Sequence, residues 1–211
     1  MIKIDCIKKS YNGKKVVDVH NISFEENVHY VLLGANGSGK STFARLLAGI
    51  IRDDNKHLIK IPNKLKVDPQ KKYLQIGYLP QKAYMFDMNL VGNISIAYDG
   101  KNKNKFDTKV EELIQAFNIG YLRKENAKGY SGGEQQKVAL ARFLMKDFDI
   151  MILDEPTSAM DDKSTILAEK IIKEYMKERT VLLITHEKEQ AIRFSNKKIV
   201  MDNGKIIQWN S

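Results

Sequence analysis

The run Gly34-Ala35-Asn36-Gly37-Ser38-Gly39-Lys40-Ser41 fits the pattern G-x-x-x-x-G-K-S/T, and that pattern tolerates few surroundings. Bare glycines let backbone N–H groups close around an anion, and a helix N-terminus behind them adds partial positive charge. Such a loop needs a strand before it and a helix after it, and both are legible. Val28-His29-Tyr30-Val31-Leu32-Leu33 is a short apolar run of the buried-strand type. Phe43, Leu46, Leu47 and Ile50 recur at helical spacing from Ser41 to Ile50. In this setting Lys40 is the point charge for the β- and γ-phosphates of a nucleotide, and the Ser41 hydroxyl is placed to ligate Mg²⁺. A glycine-rich turn matching by accident would lack these flanks. The sequence therefore points to a nucleoside triphosphate site, a feature many unrelated enzymes share.

A second apolar run, Asp149-Ile150-Met151-Ile152-Leu153, ends in Asp154-Glu155. In a parallel sheet the C-terminal end of a buried strand opens on the ligand crevice, where the phosphates lie. Asp154 is assigned to the metal shell. Glu155 is assigned to the attacking water, to orient or deprotonate it, a role worth about 10²–10⁴ in rate. The plain alternative is a surface acid pair closing a strand.

The remaining pattern alternates strands and helices, which implies an α/β fold with a mostly parallel sheet. Near the N-terminus the chain alternates apolar and polar residues, Ile2, Ile4 and Cys6, then Val16, Val17 and Val19, and Asn12-Gly13 between the two runs favours a tight hairpin. Arg52 to Lys72 is polar, broken by Pro62 and Pro69, and reads as loop or weak strand; Leu74 to Leu79 reads as strand. From Lys82 to Lys146 the character is helical. Asp107 is a plausible N-cap ahead of the apolar face Val110, Leu113, Ile114 and Phe117, with Lys101–Lys105 an exposed loop before it. A further helix is expected over Glu134–Met145, entered through Gly132-Gly133. Strand-like runs at Thr180–Ile184 and Ile199–Met201 follow, with a helix between about Asp162 and Glu178 and a last hairpin turning at Asp202-Asn203-Gly204.

Composition excludes some classes. Hydrophobic residues make up 43% and charged residues 29% of 211, a globular balance rather than a disordered or fibrous one. No apolar run approaches the roughly 18–20 residues of a membrane span. The acid at Asp5 and the lack of a long apolar stretch argue against a secretory leader. The single cysteine, Cys6, precludes an internal disulfide framework and fits a reducing compartment. The net charge of +9 suits nucleic acid, an anionic surface, a phosphate ligand or simply a lysine-rich exterior, because the basic residues form no single stripe. His20, His29 and His57 lack partners at metal-ligand spacing, and Cys6 and Trp209 read as packing residues.

Tyr130-Ser131-Gly132-Gly133-Glu134-Gln135-Gln136 is weak evidence alone. With the phosphate loop and the acid pair it resembles the signature of the ABC-type ATPases, a second helix N-terminus with a serine and bare amides aimed at a γ-phosphate. The resemblance covers essentially the whole chain. It implies a P-loop NTPase core over 1–82 and 148–211 with an N-terminal antiparallel β subdomain, and an inserted helical subdomain over 83–147, in one domain. It implies that ATP contacts Gly34, Asn36, Gly37, Ser38, Gly39, Lys40, Ser41 and Thr42, with Tyr11 stacking on adenine. It implies that Glu155, His186, Gln81 and Lys40 are catalytic, that Ser41, Asp154 and Gln81 hold Mg²⁺, and that Ser131, Gly132, Gly133 and Glu134 reach ATP on a second subunit. Ser158 and Asp161, in Ser158-Ala159-Met160-Asp161, match the loop at the dimer interface. Tyr130, Glu134, Lys137 and Met160 stand where leucine, glutamine, arginine and leucine are commonest; only Lys137 loses bidentate hydrogen bonding.

The function implied is that of the ATP-binding subunit of an ABC transporter, a head-to-tail homodimer or heterodimer that hydrolyses ATP to drive separate integral membrane subunits. It would sit on the cytoplasmic face of the cell membrane, with import of a small solute slightly favoured and a substrate-binding protein as a further partner; nucleic acid is not expected. The alternative is a non-transport ABC ATPase acting on DNA or ribosomes. Against it, Lys40 and Ser131 are too close for an inserted coiled coil, no heptads are sustained, and one ATPase unit is present. A nucleotide kinase or GTPase would leave 130–136 unexplained. The absence of a domain beyond the hairpin at 199–209 is taken to mean that this chain does not itself sense the solute.

Overall fold

The computed structural model describes residues 2–54, 75–98, 100, 102–195 and 197–209. Most of the polar stretch at 52–72, together with Leu74, His57 and Lys101, lies outside the described residues. Strands β1 (Ile2–Tyr11) and β2 (Lys14–Phe24) pair antiparallel, with Tyr11 opposite Lys14. The turn between them is the expected one: Asn12 (φ 50°) and Gly13 (φ 78°) are both left-handed, as a two-residue hairpin of the right twist demands.

The chain continues through β3 (His29–Leu33), α1 (Lys40–Leu47), β4 (Ile76–Leu79), α2 (Leu90–Ser95), α3 (Lys103–Ala116) and α4 (Gly132–Leu144). It closes with β5 (Ile150–Asp154), α5 (Asp162–Met176), β6 (Thr180–Ile184), α6 (Lys188–Phe194), β7 (Lys197–Asp202) and β8 (Lys205–Trp209). Six strands form one sheet in the order β4-β5-β6-β3-β7-β8. β3 runs parallel to both β6 and β7, β5 runs parallel to β6, and β8 returns antiparallel on β7. Every residue of β5 and β6 is buried, which is why both read as unbroken apolar runs rather than alternating ones.

Two compact units divide the chain. The first comprises Met1–Tyr78, Phe148–Glu155 and Met176–Ser211; the second comprises Leu79–Asp147 and Pro156–Tyr175. In the first, Phe43, Ala44, Leu46 and Leu47 of α1 share a core with Val17 and Val19 of β2, Leu32 of β3, Ile152 of β5 and Leu182 of β6. The α1 helix is thus fixed by apolar contact with both the hairpin and the sheet, and it stops at Leu47 rather than Ile50. Gly49 (φ 70°) turns the chain left-handed just beyond, and its N–H closes on the Leu46 carbonyl at 3.1 Å.

In the second unit the expected face of α3 is buried, with Val110, Leu113, Ile114 and Phe117 each at most 2% exposed. Its start differs from expectation. Asn102, not Asp107, is the N-cap, accepting from Lys105 N at 3.1 Å, so Lys103–Lys105 lie in the first turn and not in a loop. Asp107 sits inside the helix and pairs with Lys103 at 2.9 Å. The α6 helix has no counterpart in the sequence pattern. Among the described residues, no helix is long and apolar enough to cross a membrane.

Candidate functional site

The loop 34–39 joins β3 to α1, the surroundings its sequence requires. Gly39 adopts φ 104°, and a Cβ there would lie 2.5 Å from the Val16 carbonyl of β2, so only glycine lets the loop back onto the hairpin. Gly204, in the turn between β7 and β8, donates its N–H to the Ser38 carbonyl at 2.9 Å and accepts from Asp18 N at 2.7 Å. The loop is therefore held from behind by two separate strand pairs. Asn36 and Gly37 are exposed, Ser41 and Thr42 half-buried, and Lys40 buried. Lys40 Nζ donates to the carbonyls of Gly34 (2.8 Å) and Ala35 (2.9 Å), which arches the ammonium over the loop. Burial pushes its pKa below the usual value, while Glu155 and Asp154 oppose that shift. Ser38 Oγ is buried and has no hydrogen-bond partner among the described residues. That unspent polar atom, inside a cradle of glycines at a helix N-terminus, fits an anionic guest.

Asp154 ends β5, 1% exposed, and Glu155 follows it at 8%. Glu155 adopts φ 47°, a conformation rare outside glycine, and its N–H is held by the Ile184 carbonyl at 2.9 Å. Burial raises the pKa of Asp154; hydrogen bonds from Ser41 and Tyr78 oppose the shift and Glu155 adds to it. His186, exposed just past β6, places Nδ1 3.0 Å from Glu155 Oε1. No three His, Cys, Asp or Glu side chains among the described residues could cage a metal by themselves. The hydroxyl of Ser41 beside the carboxylate of Asp154 is instead a pair of hard oxygen donors. It suits a divalent cation that takes its other ligands from phosphates and water. Tyr11 is 47% exposed at the end of β1, its ring 5.5 Å from Lys9 Nζ.

The other expected residues lie in the second unit. Gln81 is exposed, beyond the end of β4. Ser131 caps α4 in a reciprocal capping box: Glu134 Oε2 accepts from Ser131 N and from Ser131 Oγ, both at 2.8 Å. Tyr121 donates to Glu134 Oε1 at 2.7 Å, and the Tyr121 and Ser131 bonds hold the Glu134 carboxyl below its ordinary pKa. The same contact pushes the Tyr121 phenol up to about 12. Gly132 and Gly133 fall inside the first turn of α4, and a Cβ on Gly133 would lie 3.0 Å from the Ala159 carbonyl. Tyr130, in place of the usual leucine, is buried with its hydroxyl donating to the Leu122 carbonyl at 2.7 Å. Asp161 caps α5 by accepting from Ser164 N at 2.9 Å, and Ser158 is exposed.

Two contributors escape the sequence. Gln136, buried within α4, accepts from Ala159 N at 2.9 Å and reaches Ser158 Oγ at 3.4 Å, so it ties the 158–161 loop to the signature helix. Tyr78 on β4 donates to Asp154 Oδ2 at 2.9 Å, and Arg45 Nε donates to the Tyr78 oxygen at 3.4 Å. Neither pairing has a local signal, since each joins elements distant in sequence.

A family model described as ABC transporter matches residues 17–158. The chain is 37% identical to the molybdate/tungstate import ATP-binding protein of Methanocaldococcus jannaschii, over 99% of this chain and 70% of that one. It is 32% identical to the tungstate uptake system ATP-binding protein of Peptoclostridium acidaminophilum, over 97% of this chain and 96% of that one. It is 30% identical to an Fe(3+) ion import ATP-binding protein of Pectobacterium atrosepticum, of which it spans 63%. A solved dimeric bacterial ABC transporter cassette shares the fold at TM-score 0.83 and 23% identity, covering 100% of this chain and 98% of that one. A strand-cradled phosphate loop, an acid pair at the end of β5 and these likenesses agree: the chain belongs to the ABC transporter family, as one of its ATP-binding, ATP-hydrolysing subunits.

Proposed function

We propose that this chain is the motor of an oxyanion importer. It works as a head-to-tail dimer in which the loop at Gly34–Thr42 and Tyr11 of one subunit hold ATP against Ser131, Gly132, Gly133 and Glu134 of the other, with Ser158 and Asp161 at the seam. The observation that carries the reading is the convergence of Lys40, Ser41, Asp154, Glu155 and His186 on the C-terminal ends of three neighbouring strands. Tyr11 stacks on the base. Ser41, Asp154 and Gln81 would hold Mg²⁺, which when bound neutralises charge on the phosphates.

Lys40 leaves its two loop carbonyls for the β- and γ-phosphates. Glu155 orients a water in line with the γ-phosphorus and takes its proton, while His186 fixes the Glu155 carboxylate and meets the γ-phosphate. The P–O bond to ADP breaks as the bond to water forms, giving ADP and inorganic phosphate. Loss of the γ-phosphate dissolves the dimer, and that opening drives separate integral membrane subunits at the cytoplasmic face. The relatives at 37% and 32% identity serve molybdate or tungstate, which favours a tetrahedral oxyanion delivered by a substrate-binding protein.

The test is reconstitution. The chain is combined in proteoliposomes with the integral membrane subunits that co-purify with it from membranes and with a candidate oxyanion-binding protein. ATP on the side of this chain should drive tungstate uptake from the opposite side. Mg²⁺-dependent ATPase activity without movement of tungstate or molybdate would refute oxyanion import.

A further inference from the structure

We infer that Tyr78 is a positioning residue for ATP hydrolysis: its phenol locks the Asp154 carboxylate in place, and Arg45 supports that phenol from its other side. The inference rests on the proposed role of Asp154 beside the nucleotide-bound cation.

Three observations carry it. The first is rigidity. β4 is clamped to the start of β5, because Gln75 N donates to Asp149 Oδ2 at 2.7 Å and Asp149 N donates to the Gln75 carbonyl at 2.9 Å. Gly77 passes so near Phe148 that a Cβ would lie 2.5 Å from its ring, so the strand lies tight against its neighbour. Tyr78 therefore approaches Asp154 from a fixed backbone.

The second is hydrogen-bond polarity. A phenol can both donate and accept, whereas an ionised carboxylate can only accept, so the Tyr78 hydroxyl gives its proton to Asp154. Arg45 Nε can only donate, and it occupies the acceptor side of the Tyr78 oxygen at 3.4 Å. The two contacts agree: the phenol donates to Asp154 Oδ2, 2.9 Å away, and accepts from Arg45. The chain Arg45→Tyr78→Asp154 has one direction, and it ends on an anion.

The third is division of labour on the carboxylate. Ser41 also hydrogen-bonds Asp154, and this hydroxyl is the one expected to turn to a cation. When it turns, the Tyr78 bond remains to hold the side-chain torsion. A carboxylate fixed in this way binds a cation without first losing rotamer freedom, the usual service of groups behind metal ligands. Phenylalanine would fill the same space and hold nothing.

The experiment measures Mn²⁺ as a spin probe, by electron paramagnetic resonance, on the full chain saturated with a non-hydrolysable ATP analogue. Tyr78→Phe should weaken Mn²⁺ affinity about ten-fold or more, the usual effect of removing such a group. Affinity for the analogue in EDTA should stay the same. Arg45→Leu, a change on the exposed face of α1, should weaken Mn²⁺ by a smaller factor, and it decides the matter if Tyr78→Phe fails to fold. Asp154→Asn separates the two levels of the argument. If Asp154→Asn leaves Mn²⁺ affinity intact, the proposed role of Asp154 fails. If Asp154→Asn weakens Mn²⁺ while Tyr78→Phe, or Arg45→Leu in its stead, binds Mn²⁺ as the parent does, the positioning role of Tyr78 is overturned and the phenol is packing alone.

Discussion

His186 Nδ1 lies 3.0 Å from Oε1 of Glu155, across 31 positions of sequence. The pairing follows from the sheet. β5 and β6 are parallel neighbours with Asp154 opposite Ile184, so the residues just past each strand emerge side by side. The left-handed backbone at Glu155, tied to the Ile184 carbonyl, turns its carboxylate toward the imidazole. A carboxylate held by a second side chain beside a phosphate loop has the geometry that the proposed water-orienting role of Glu155 requires.

Glu155→Gln should therefore slow hydrolysis by about 10²-fold or more while ATP binding stays intact. ATP should then accumulate the dimer, seen as a shift to larger size in gel filtration with ATP and not with ADP. Unchanged turnover would remove Glu155 from the reaction.

Asp154 should behave oppositely in stability and in function. Burial, and then the neighbouring Glu155, raise its folded-state pKa above the ordinary 3.8. The unfolded chain thus ionises this carboxyl more readily than the folded one does. Above the raised value, holding the charge opposes folding, and as pH falls toward the ordinary value the penalty fades. Asp154→Asn should raise the melting temperature of the nucleotide-free protein at pH 7, by a margin that shrinks toward pH 4, while abolishing metal-dependent hydrolysis. Scanning calorimetry across that range checks the sign; a lower melting temperature at pH 7 would contradict it. Such an exchange of stability for activity is expected at a working site.

Lys40→Ala and Ser131→Arg should each be inactive alone and should complement one another when mixed. The first variant lacks the phosphate charge. The second puts a bulky cation where a small hydroxyl is proposed to approach the γ-phosphate. In a head-to-tail dimer, one site of the mixed pair combines both defects, and the other joins intact Lys40 to intact Ser131. ATP-dependent association should return in the mixture, read by analytical ultracentrifugation. If both folded variants still fail to associate, the two groups do not meet across subunits.

The phosphate loop and the acid pair were legible because their chemistry forces composition on a short stretch. Glycines must admit a phosphate, and buried strands must stay apolar up to the acids at their ends. Asn12-Gly13 was legible for the same reason, since few residues accept two left-handed positions in a row. The start of α3 was not, because Asn102 and Asp107 are both competent caps and the lysines between them carry no periodic signal. The α6 helix is short and entered through polar residues, too little pattern to declare itself. Tyr78 and Gln136 stayed hidden for a different reason. Each acts on a partner brought near only by the sheet or by helix packing, and a tyrosine in a strand or a glutamine in a helix looks ordinary until that partner is in view.

The turn at Asn203-Gly204 has a consequence for the order of events in synthesis. The phosphate loop is made early, yet one of its two backstops, Gly204 against Ser38, comes from the much later turn between β7 and β8. A ribosome delivers the N-terminal part first, so a nascent chain carries the nucleotide loop with only the β1–β2 hairpin behind it. The loop then gains its second backing only once the turn between β7 and β8 has been made.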